Sequence, residues 1–209
     1  MKFEKLLEIV GHEPVFHSGM LLSGQIDPID LGRQLSRWVR AGKLMKLRRG
    51  IYTLPEQYRK VPLHPFVVAN RLKRASYVSI QSALEHYGLI PEYVPSVTSV
   101  TTGRPETYAT PVGDFLYRHI KLDLFSDYAL VDIGGGQSAY VARPEKALLD
   151  LLYLTVDSDD PGFIRELRLQ NIDTVDMDAL SRLAAAIGNR KVVRAVAGIR
   201  NLHETGSGS

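Results

Sequence analysis

Apolar side chains near the start of the chain recur at the three- and four-residue spacing of amphipathic helices. In Lys2–Val10 this spacing predicts a short first helix. Pro14 suits the first turn of a second helix, which we expect at about Val15–Leu22. Gly24 would close that segment, because glycine is a poor helix former. The pattern therefore predicts two short helices in this region.

A third helix is predicted to follow, capped by Asp27 or Asp30 and ending near Arg40. Its apolar residues fall on one face and are Leu31, Leu35, Trp38 and Val39. Its polar residues fall on the other face and are Arg33, Gln34, Ser36, Arg37 and Arg40. A helix with one apolar stripe buries that stripe and leaves the opposite face in water. We therefore expect Leu35 and Trp38 in the core.

Residues 44–55, LMKLRRGIYTLP, alternate apolar and polar side chains on both sides of a basic turn. Such alternation predicts two short strands joined as a hairpin. Gly50 at the turn permits the positive φ angle that tight turns often require. Three helices followed by a β-hairpin are typical of a winged helix-turn-helix domain. We predict such a domain over residues 1–60.

Pro55, Pro62 and Pro65 punctuate a linker, and the domain boundary is expected near residues 56–64. Beyond it, helical and strand patterns mix. The predicted helices are Pro65–Arg74, Ser79–Tyr87, Pro144–Leu154, Gly162–Leu169, Asp178–Ile187 and Arg190–Arg200. The predicted strands are Val94–Thr102, Phe115–Ile120 and Gly136–Val141. These elements predict a mixed α/β C-terminal domain over residues 61–203 and a disordered tail over residues 204–209. The fold class expected for the whole chain is α+β.

Positive charge is concentrated in the N-terminal part of the chain. The whole chain has a net charge of +3, yet residues 1–60 hold 11 Lys and Arg against 6 Asp and Glu. Residues 32–60 hold nine basic residues and a single acid, Glu56. A local positive field of this kind attracts polyanions. The same charges also suit a solvated surface, so charge alone leaves both interpretations open.

No motif for catalysis, a metal or a cofactor stands out. The chain has no cysteine, and its six histidines lack metal-ligand spacing. The run IGGGQSAY (133–140) has no lysine of a phosphate-binding loop and is interpreted as a turn between strands. Glu145 and Lys146 are adjacent on a predicted helix, which is the wrong spacing for a metal nuclease. Glu145 is expected to serve the helix dipole and Lys146 to pair with Asp150, so we expect no enzyme, no cofactor and no metal.

The basic segment offers side chains of the types that bind DNA. On a recognition helix in the major groove, Arg can grip guanine and Gln can grip adenine through two hydrogen bonds. The residues predicted to read bases are Arg33, Gln34 and Arg37, with Ser36 on a base or a phosphate. The residues predicted to contact phosphates, which position the protein without reading sequence, are Arg40, Lys43 and Lys46. The residues predicted to hold the backbone or an adjacent minor groove, from the hairpin tip, are Arg48 and Arg49.

Four longer segments, taken in order, resemble one known family. The first is LSRWVRAGKLMKLRRGIYTLP (35–55). The others are YVSIQSALEHYGLIPE (77–92), VTSVTTGRP (97–105) and VARPEKALLDLLYL (141–154). In this order and spacing they resemble the AbiEi antitoxins, which are predicted transcriptional regulators of bacterial type IV toxin–antitoxin and phage-defence loci. The first segment is similar to the winged-helix part of that family.

The resemblance implies a protein with two roles. Its winged helix would bind inverted repeats of double-stranded DNA in its own promoter and repress its own operon. Its C-terminal domain would neutralise a cognate toxin of the nucleotidyltransferase type, encoded next to it, without requiring a stable complex. The first residues lack the apolar stretch of a signal peptide, and no apolar run reaches the length of a membrane span. A cytoplasmic protein without a membrane partner is therefore expected.

Two other functions remain open from the residues. One is a defence-associated regulator whose C-terminal domain senses a ligand and which has no toxin, and the neighbouring gene would distinguish it. The other is a metal-dependent nuclease that uses the basic domain to hold its substrate, which divalent-metal-dependent cleavage would reveal. The basic residues Arg71, Lys73 and Arg74 are candidates for the surface that neutralises the toxin.

Overall fold

The computed structural model describes residues 1–22 and 27–206 as a mixed α+β fold, which confirms the predicted class. The helices are α1 (Phe3–Val10), α2 (Pro28–Arg40), α3 (Pro65–Leu72), α4 (Ile80–His86), α5 (Pro144–Leu154), α6 (Pro161–Glu166), α7 (Met177–Ile187) and α8 (Arg190–Gly206). The strands are β1 (Phe16–His17), β2 (Met45–Arg48), β3 (Ile51–Thr53), β4 (Ser76–Val78), β5 (Ser96–Thr101), β6 (Glu106–Thr110), β7 (Gly113–His119), β8 (Tyr128–Gly134) and β9 (Gln137–Ala142).

The predicted second helix is wrong. In place of a helix over Val15–Leu22, the chain forms β1 and then a 3-10 turn at Ser18–Leu21. β1 pairs antiparallel with β3, and this pairing satisfies backbone groups that a helix would otherwise bond internally. Pro14 permits a helix start without requiring one, and a strand of only two residues is too short to show a periodicity. Gly24, predicted to close the segment, lies outside the described residues.

The N-terminal sheet has the strand order β1-β3-β2 and is antiparallel, and its central strand β3 is buried at all three residues. Phe16 and Tyr52 are partners on neighbouring strands and pack in a cluster with α1 and α2. Val15 and Ile51 belong instead to the main cluster, together with residues of α3 to α8 and the larger sheet. Because side chains alternate between the faces of a strand, consecutive residues join different cores. The domain boundary near residue 60 stays a prediction. The N-terminal sheet packs against residues that precede this position in the chain and against residues that follow it.

A compact apolar cluster joins α1, α2 and one face of the N-terminal sheet. Its buried residues are Phe3, Leu6, Val10, Phe16, Leu21, Leu31, Leu35, Trp38, Leu44, Tyr52 and Leu54. The Trp38 ring meets the Phe3 ring edge to face, with 5.5 Å between the centroids. Leu35 and Trp38 are buried, so the core placement predicted for both is confirmed.

The second sheet is mixed and has the strand order β6-β7-β5-β4-β9-β8. β4 pairs parallel with β9, β5 pairs parallel with β7, and the other neighbours are antiparallel. The three predicted strands are confirmed as β5, β7 and β9. The sequence did not predict β4, β6 or β8. β4 has only three residues, and β6 and β8 are edge strands whose partly exposed side chains weaken the strand pattern.

The predicted turn in the glycine run is confirmed. Gly134 ends β8, Gly135 and Gly136 connect it to β9, and all three adopt positive φ angles between 62° and 85°. Glycine reaches this region without a Cβ penalty, which explains the composition of the run.

α5 is buried on nearly all sides, and every residue from Lys146 to Leu152 is enclosed. Lys146 Nζ donates to Asp150 Oδ1 at 2.6 Å, which confirms the predicted pair. Asp150 Oδ2 accepts hydrogen bonds from Tyr77 Oη at 3.0 Å and from Ser79 Oγ at 2.7 Å. Burial holds the pKa of the Asp150 carboxyl above its ordinary value, although the neighbouring Lys146 acts in the opposite direction. The pair therefore ties α5 to the sheet through polar contacts inside the core.

The helices predicted after residue 61 are confirmed, with shifted ends. α8 continues to Gly206, past the predicted end at Arg200. The tail predicted over residues 204–209 thus begins within α8, and residues 207–209 lie outside the described part of the chain. Within residues 1–22 and 27–206, no helix is long and apolar enough to cross a membrane.

Candidate nucleic-acid interface

The start of α2 is defined by a cap that holds its first turn. Asp27 Oδ1 accepts hydrogen bonds from the backbone N–H groups of Ile29 at 2.6 Å and Asp30 at 3.4 Å. Pro28 occupies the first helical position, where its missing N–H costs nothing. Of the two predicted caps, Asp27 is therefore the one used, and the helix begins one turn before its cationic residues.

Five of the predicted DNA-contacting residues lie together on the outer side of α2. They are Arg33, Gln34, Ser36, Arg37 and Arg40, of which Gln34 is half-buried and the others are exposed. These residues line one open groove that also includes Met1 and Asp30. The buried stripe of α2 faces the N-terminal cluster, so the polar face is turned outward, as the sequence predicted.

Contacts made by the arginines of α2 stay within the helix. Arg33 Nη1 lies 3.0 Å from Asp30 Oδ1, and both side chains are about 70% exposed. Arg37 donates a hydrogen bond to the Gln34 side-chain oxygen. Exposed pairs of this kind contribute only about 0–1 kcal/mol, because water competes for both partners. Both guanidinium groups can therefore exchange these contacts for an external partner.

A tight turn connects α2 to β2. The backbone N–H groups of Lys43 and Leu44 both donate to Trp38 O, at 2.9 Å and 3.3 Å. Lys43 Nζ lies 5.1 Å from the centre of the Phe3 ring, a cation–π contact beside α1. Lys46 is exposed on β2, opposite Tyr52 of β3. Both predicted phosphate-contacting lysines are therefore accessible and follow α2 directly.

The hairpin tip carries an exposed arginine on a glycine turn. Arg49 is exposed, and Gly50 adopts a φ angle of +78°. The backbone N–H of Ser18 donates to Gly50 O at 2.8 Å, which binds the tip to the end of β1. A Cβ added at Gly50 would lie 3.5 Å from Ser18 Oγ, so the positive φ is the reason for glycine here.

Arg48 is not in the groove on α2 but is bonded to the second sheet. Its Nη1 donates to Tyr108 Oη at 2.7 Å, and its guanidinium lies 5.3 Å from the centre of that ring. Tyr108 Oη donates in turn to Glu106 Oε2 at 2.6 Å, and Lys73 Nζ lies 2.5 Å from the same carboxylate oxygen. Lys73 and Tyr108 together hold the pKa of the Glu106 carboxyl below its ordinary value. Arg48 thus joins the hairpin to the edge strand β6.

Three further basic side chains, which the sequence did not assign to DNA, lie together in a second groove. They are His17, Arg71 and Arg74, and all three line one groove of about 360 Å³ between β1, α3 and the β8–β9 pair. Burial lowers the pKa of His17, and Arg74, Arg48 and Arg71 lower it further. The run RLKR (71–74) is the sequence signal for this cluster, but nothing in it indicates that β1 lies alongside.

Glu145 and Lys146, whose spacing is wrong for a metal nuclease, both contact other residues of the fold. Glu145 Oε1 accepts a hydrogen bond from the backbone N–H of Asp176 at 2.9 Å, while Lys146 is enclosed beside Asp150. Across residues 1–22 and 27–206, no group of three or more His, Asp or Glu side chains is arranged to hold a metal ion.

Comparison with known proteins adds a fold likeness. No model of a known protein family matches this chain, and no curated protein matches it. Among solved structures, it is similar to the crystal structure of the RV2827C protein from Mycobacterium tuberculosis, at 12% sequence identity and a TM-score of 0.57. The match covers 95% of this chain and 74% of that one. At this identity the likeness shows a shared fold alone, and function has to be argued from the site.

Proposed function

We propose that residues 1–60 form a winged helix with α2 as its recognition helix, and that the protein binds double-stranded DNA at a specific sequence. The order of elements supports this proposal, because α1, β1 and α2 are followed at once by the β2–β3 hairpin. In this arrangement the hairpin is the wing, and the helix that precedes it presents side chains to the major groove.

The observation that carries the proposal is the outward face of α2. Its arginines and glutamine are side chains that can read base edges, and their present contacts are exposed and within the helix. From Leu31 to Pro55 the chain holds seven Lys and Arg and no Asp or Glu. A surface with such an excess of cations suits a phosphate backbone, whose condensed counterions are released on binding.

The roles follow from where each side chain lies. We propose that Arg33, Gln34 and Arg37 read bases, and that Ser36 contacts a base or a phosphate. The residues proposed to contact phosphates are Arg40, Lys43, Lys46 and Arg49. Arg48 is proposed to position the hairpin through Tyr108 and to leave contact with DNA to Arg49 at the tip.

The resemblance to AbiEi proteins supplies the biological setting. We propose that the DNA site is an inverted repeat in the protein's own promoter and that binding represses its own operon. Antitoxin activity of the C-terminal part, against a nucleotidyltransferase-type toxin, is proposed from the resemblance of residues 77–154 alone. No catalytic activity and no cofactor form part of the proposal.

A mobility-shift titration tests the DNA-binding half. The probes are a duplex taken from upstream of the protein's own gene and a scrambled duplex of equal length and composition. We expect tighter binding to the upstream duplex and, for both, a linear fall in log affinity with log salt concentration. Equal affinity for the two duplexes would refute sequence-specific repression.

Co-expression tests the antitoxin half separately. The product of the neighbouring gene is expressed with and without this protein, and growth is followed. Rescue of growth by the full chain is expected, and a variant with Arg33→Ala and Arg37→Ala should rescue equally if the two activities are separate. Toxicity that the full chain does not relieve would remove the antitoxin role and leave DNA binding in place.

A further inference from the structure

A cavity of about 490 Å³ is bordered by the start of α3, the end of α4 and the turn between β6 and β7. Most of its lining side chains are rings or apolar groups, and its ionisable lining residues are His64, Glu85, His86 and Asp114. None of its described lining residues is Lys or Arg, although the chain holds 26 of them. The charge of this cavity therefore differs from that of the cationic groove on α2.

The two carboxylates of this cavity have no bonded partner in the described part of the chain. Glu85 is half-buried on α4 and Asp114 is exposed on β7, and neither side chain forms an ion pair or a hydrogen bond within residues 1–22 and 27–206. Glu106 differs, because it is bonded to Lys73 and to Tyr108. The negative charges of Glu85 and Asp114 are thus available to an external cation.

The two histidines of the cavity do not offset these charges at neutral pH. His64 Nδ1 accepts a hydrogen bond from the backbone N–H of Phe66 at 3.2 Å, which a doubly protonated imidazole cannot do. Burial lowers the pKa of both rings, and the neighbouring His86 lowers the pKa of His64 further. With both rings neutral, the charge of the cavity is that of its two carboxylates.

Aromatic rings line the same cavity. The Phe66 ring meets the His64 ring edge to face, with 5.1 Å between the centroids, and its centroid lies 5.5 Å from that of the His86 ring. Phe115 is buried on β7 and also lines the cavity. The face of an aromatic ring attracts cations, and its apolar surface accommodates methylene groups. A ligand that joins positive charge to an aliphatic chain matches both features.

We propose that this cavity binds an aliphatic diamine or polyamine, whose ammonium groups pair with Glu85 and Asp114 and whose methylene chain lies against the rings. The two carboxylates come from different elements, α4 and β7, so a ligand with two separated charges can satisfy both. An ammonium group has three hydrogen-bond donors, and hydrogen bonds between charged partners are the stronger ones. The inference goes beyond the proposed function, because it involves neither DNA nor a toxin.

Isothermal titration calorimetry of the full-length protein, without DNA and at neutral pH, tests this site. The ligands are putrescine and spermidine, together with butylamine, which has a single charge, and butanol, which has none. We expect one site for putrescine and for spermidine. Butylamine should bind about tenfold more weakly, since it loses one charge-assisted contact, and butanol should not bind.

Glu85→Gln with Asp114→Asn is the variant that tests the two carboxylates, because it removes both charges and keeps the size of each side chain. Its matched control is Glu166→Gln with Asp123→Asn, at two exposed acids that do not line the cavity. Each single cavity variant should bind putrescine about tenfold more weakly, and the double variant should show no binding heat. The control should bind as the unmodified protein does, and circular dichroism confirms that all variants are folded.

The proposal fails if neither putrescine nor spermidine binds the unmodified protein. It also fails if the double cavity variant binds them as its control does, because the amine would then lie elsewhere on the surface. Binding of butylamine as tight as that of putrescine would show that one carboxylate is enough, and would contradict the paired arrangement. Each of these results leaves the proposed DNA binding intact, since no DNA is present.

Discussion

α2 and α5 have similar sequence features but lie in opposite surroundings. Each has proline at its first position, and each contains an acid and a cation within one helical turn. α2 buries a single stripe, so its Arg33–Asp30 pair is exposed on both sides. α5 is enclosed from Lys146 to Leu152, so the Lys146–Asp150 pair is at most 2% exposed.

The difference shows that an ion pair read from sequence has no fixed role. In water such a pair contributes about 0–1 kcal/mol and is readily exchanged for another partner. Inside a core, removal of one partner leaves a buried charge and costs about 3–5 kcal/mol. The charges of α2 are therefore available to a ligand, and those of α5 serve the fold.

The largest effect we expect is at α5. Lys146→Ala leaves the Asp150 carboxylate buried without its cation, and the free energy of unfolding should fall by about 3–5 kcal/mol. Guanidinium chloride unfolding, followed by circular dichroism, measures this. Arg165→Ala, at an exposed position, is the control and should change stability by less than about 0.5 kcal/mol. A loss below 1 kcal/mol for Lys146→Ala would mean that the pair is as exchangeable as the one on α2.

The matching substitutions on α2 should affect binding instead of stability. Arg33→Ala and Arg37→Ala should each reduce the free energy of binding to the upstream duplex by about 1–3 kcal/mol, which is about five- to hundredfold in affinity. The preference for the upstream duplex over other sequences should also become smaller, because these side chains are proposed to read bases. Anisotropy titrations check the affinity, and unfolding curves should remain close to those of the unmodified protein. A comparable loss of stability would contradict the contrast between the two helices.

The caps of the two helices provide a smaller test. Asp27 caps α2 through its side chain, whereas Arg143, at the same position before α5, makes no side-chain cap. Asp27→Ala should lower the free energy of unfolding by about 1 kcal/mol, and Arg143→Ala should lower it by less. Denaturant titration of the two variants side by side measures the difference. Equal losses would show that the side-chain cap contributes little to α2.

The hydrogen bonds that attach the hairpin to β6 should contribute less to stability than the cap of α2. Tyr108→Phe keeps the aromatic ring over Arg48 but removes the hydroxyl that bonds to Arg48 and Glu106. A loss of about 0.5–1 kcal/mol in stability is expected, together with a modest, sequence-independent weakening of DNA binding. Tyr93→Phe, at a side chain that is 81% exposed, is the control. DNA binding identical to that of the control would show that this attachment does not position the hairpin.

The smallest effect at neutral pH should come from His17→Gln, which acts on the pH profile. Burial and the nearby arginines hold the pKa of His17 below its ordinary value of about 6.5. Between pH 6.5 and that lowered pKa, the unfolded chain binds a proton that the folded chain does not. Stability is therefore complete above about pH 6.5 and is lost as the pH falls through this window. Thermal unfolding between pH 5 and pH 7.5 should show a shallower loss for His17→Gln, and an unchanged profile would contradict this.

The elements that sequence predicted well have signals contained within one or two turns. α2 shows its cap, its apolar stripe and its cationic face within Asp27–Arg40, and the hairpin shows its alternation and its turn glycine within 12 residues. These signals act locally, since a cap reaches three residues and an apolar stripe repeats every turn. Because these signals are local, the sequence predicts the Lys146–Asp150 pair but does not predict its burial.

The elements that sequence missed depend on distant partners. Phe16–His17 is a strand because β3 lies beside it, and three residues at Ser76–Val78 are a strand because β5 and β9 flank them. In isolation such short segments have no periodicity to measure. The helix predicted from Pro14 over Val15–Leu22 is therefore wrong.

Local sequence was enough to identify which residues are charged and which face of α2 is polar, because helical geometry places side chains from their spacing alone. It could not tell which of those charges are free. Arg48 and Arg49 are neighbours in one basic turn, yet Arg48 is bonded to a tyrosine sixty positions away, and Arg49 is exposed. Likewise, Arg71 and Arg74 gain their place beside His17 only when β1 packs against α3. Tertiary packing determines which of these cations are free, because whether a charge has an internal partner depends on the residues that the fold brings next to it.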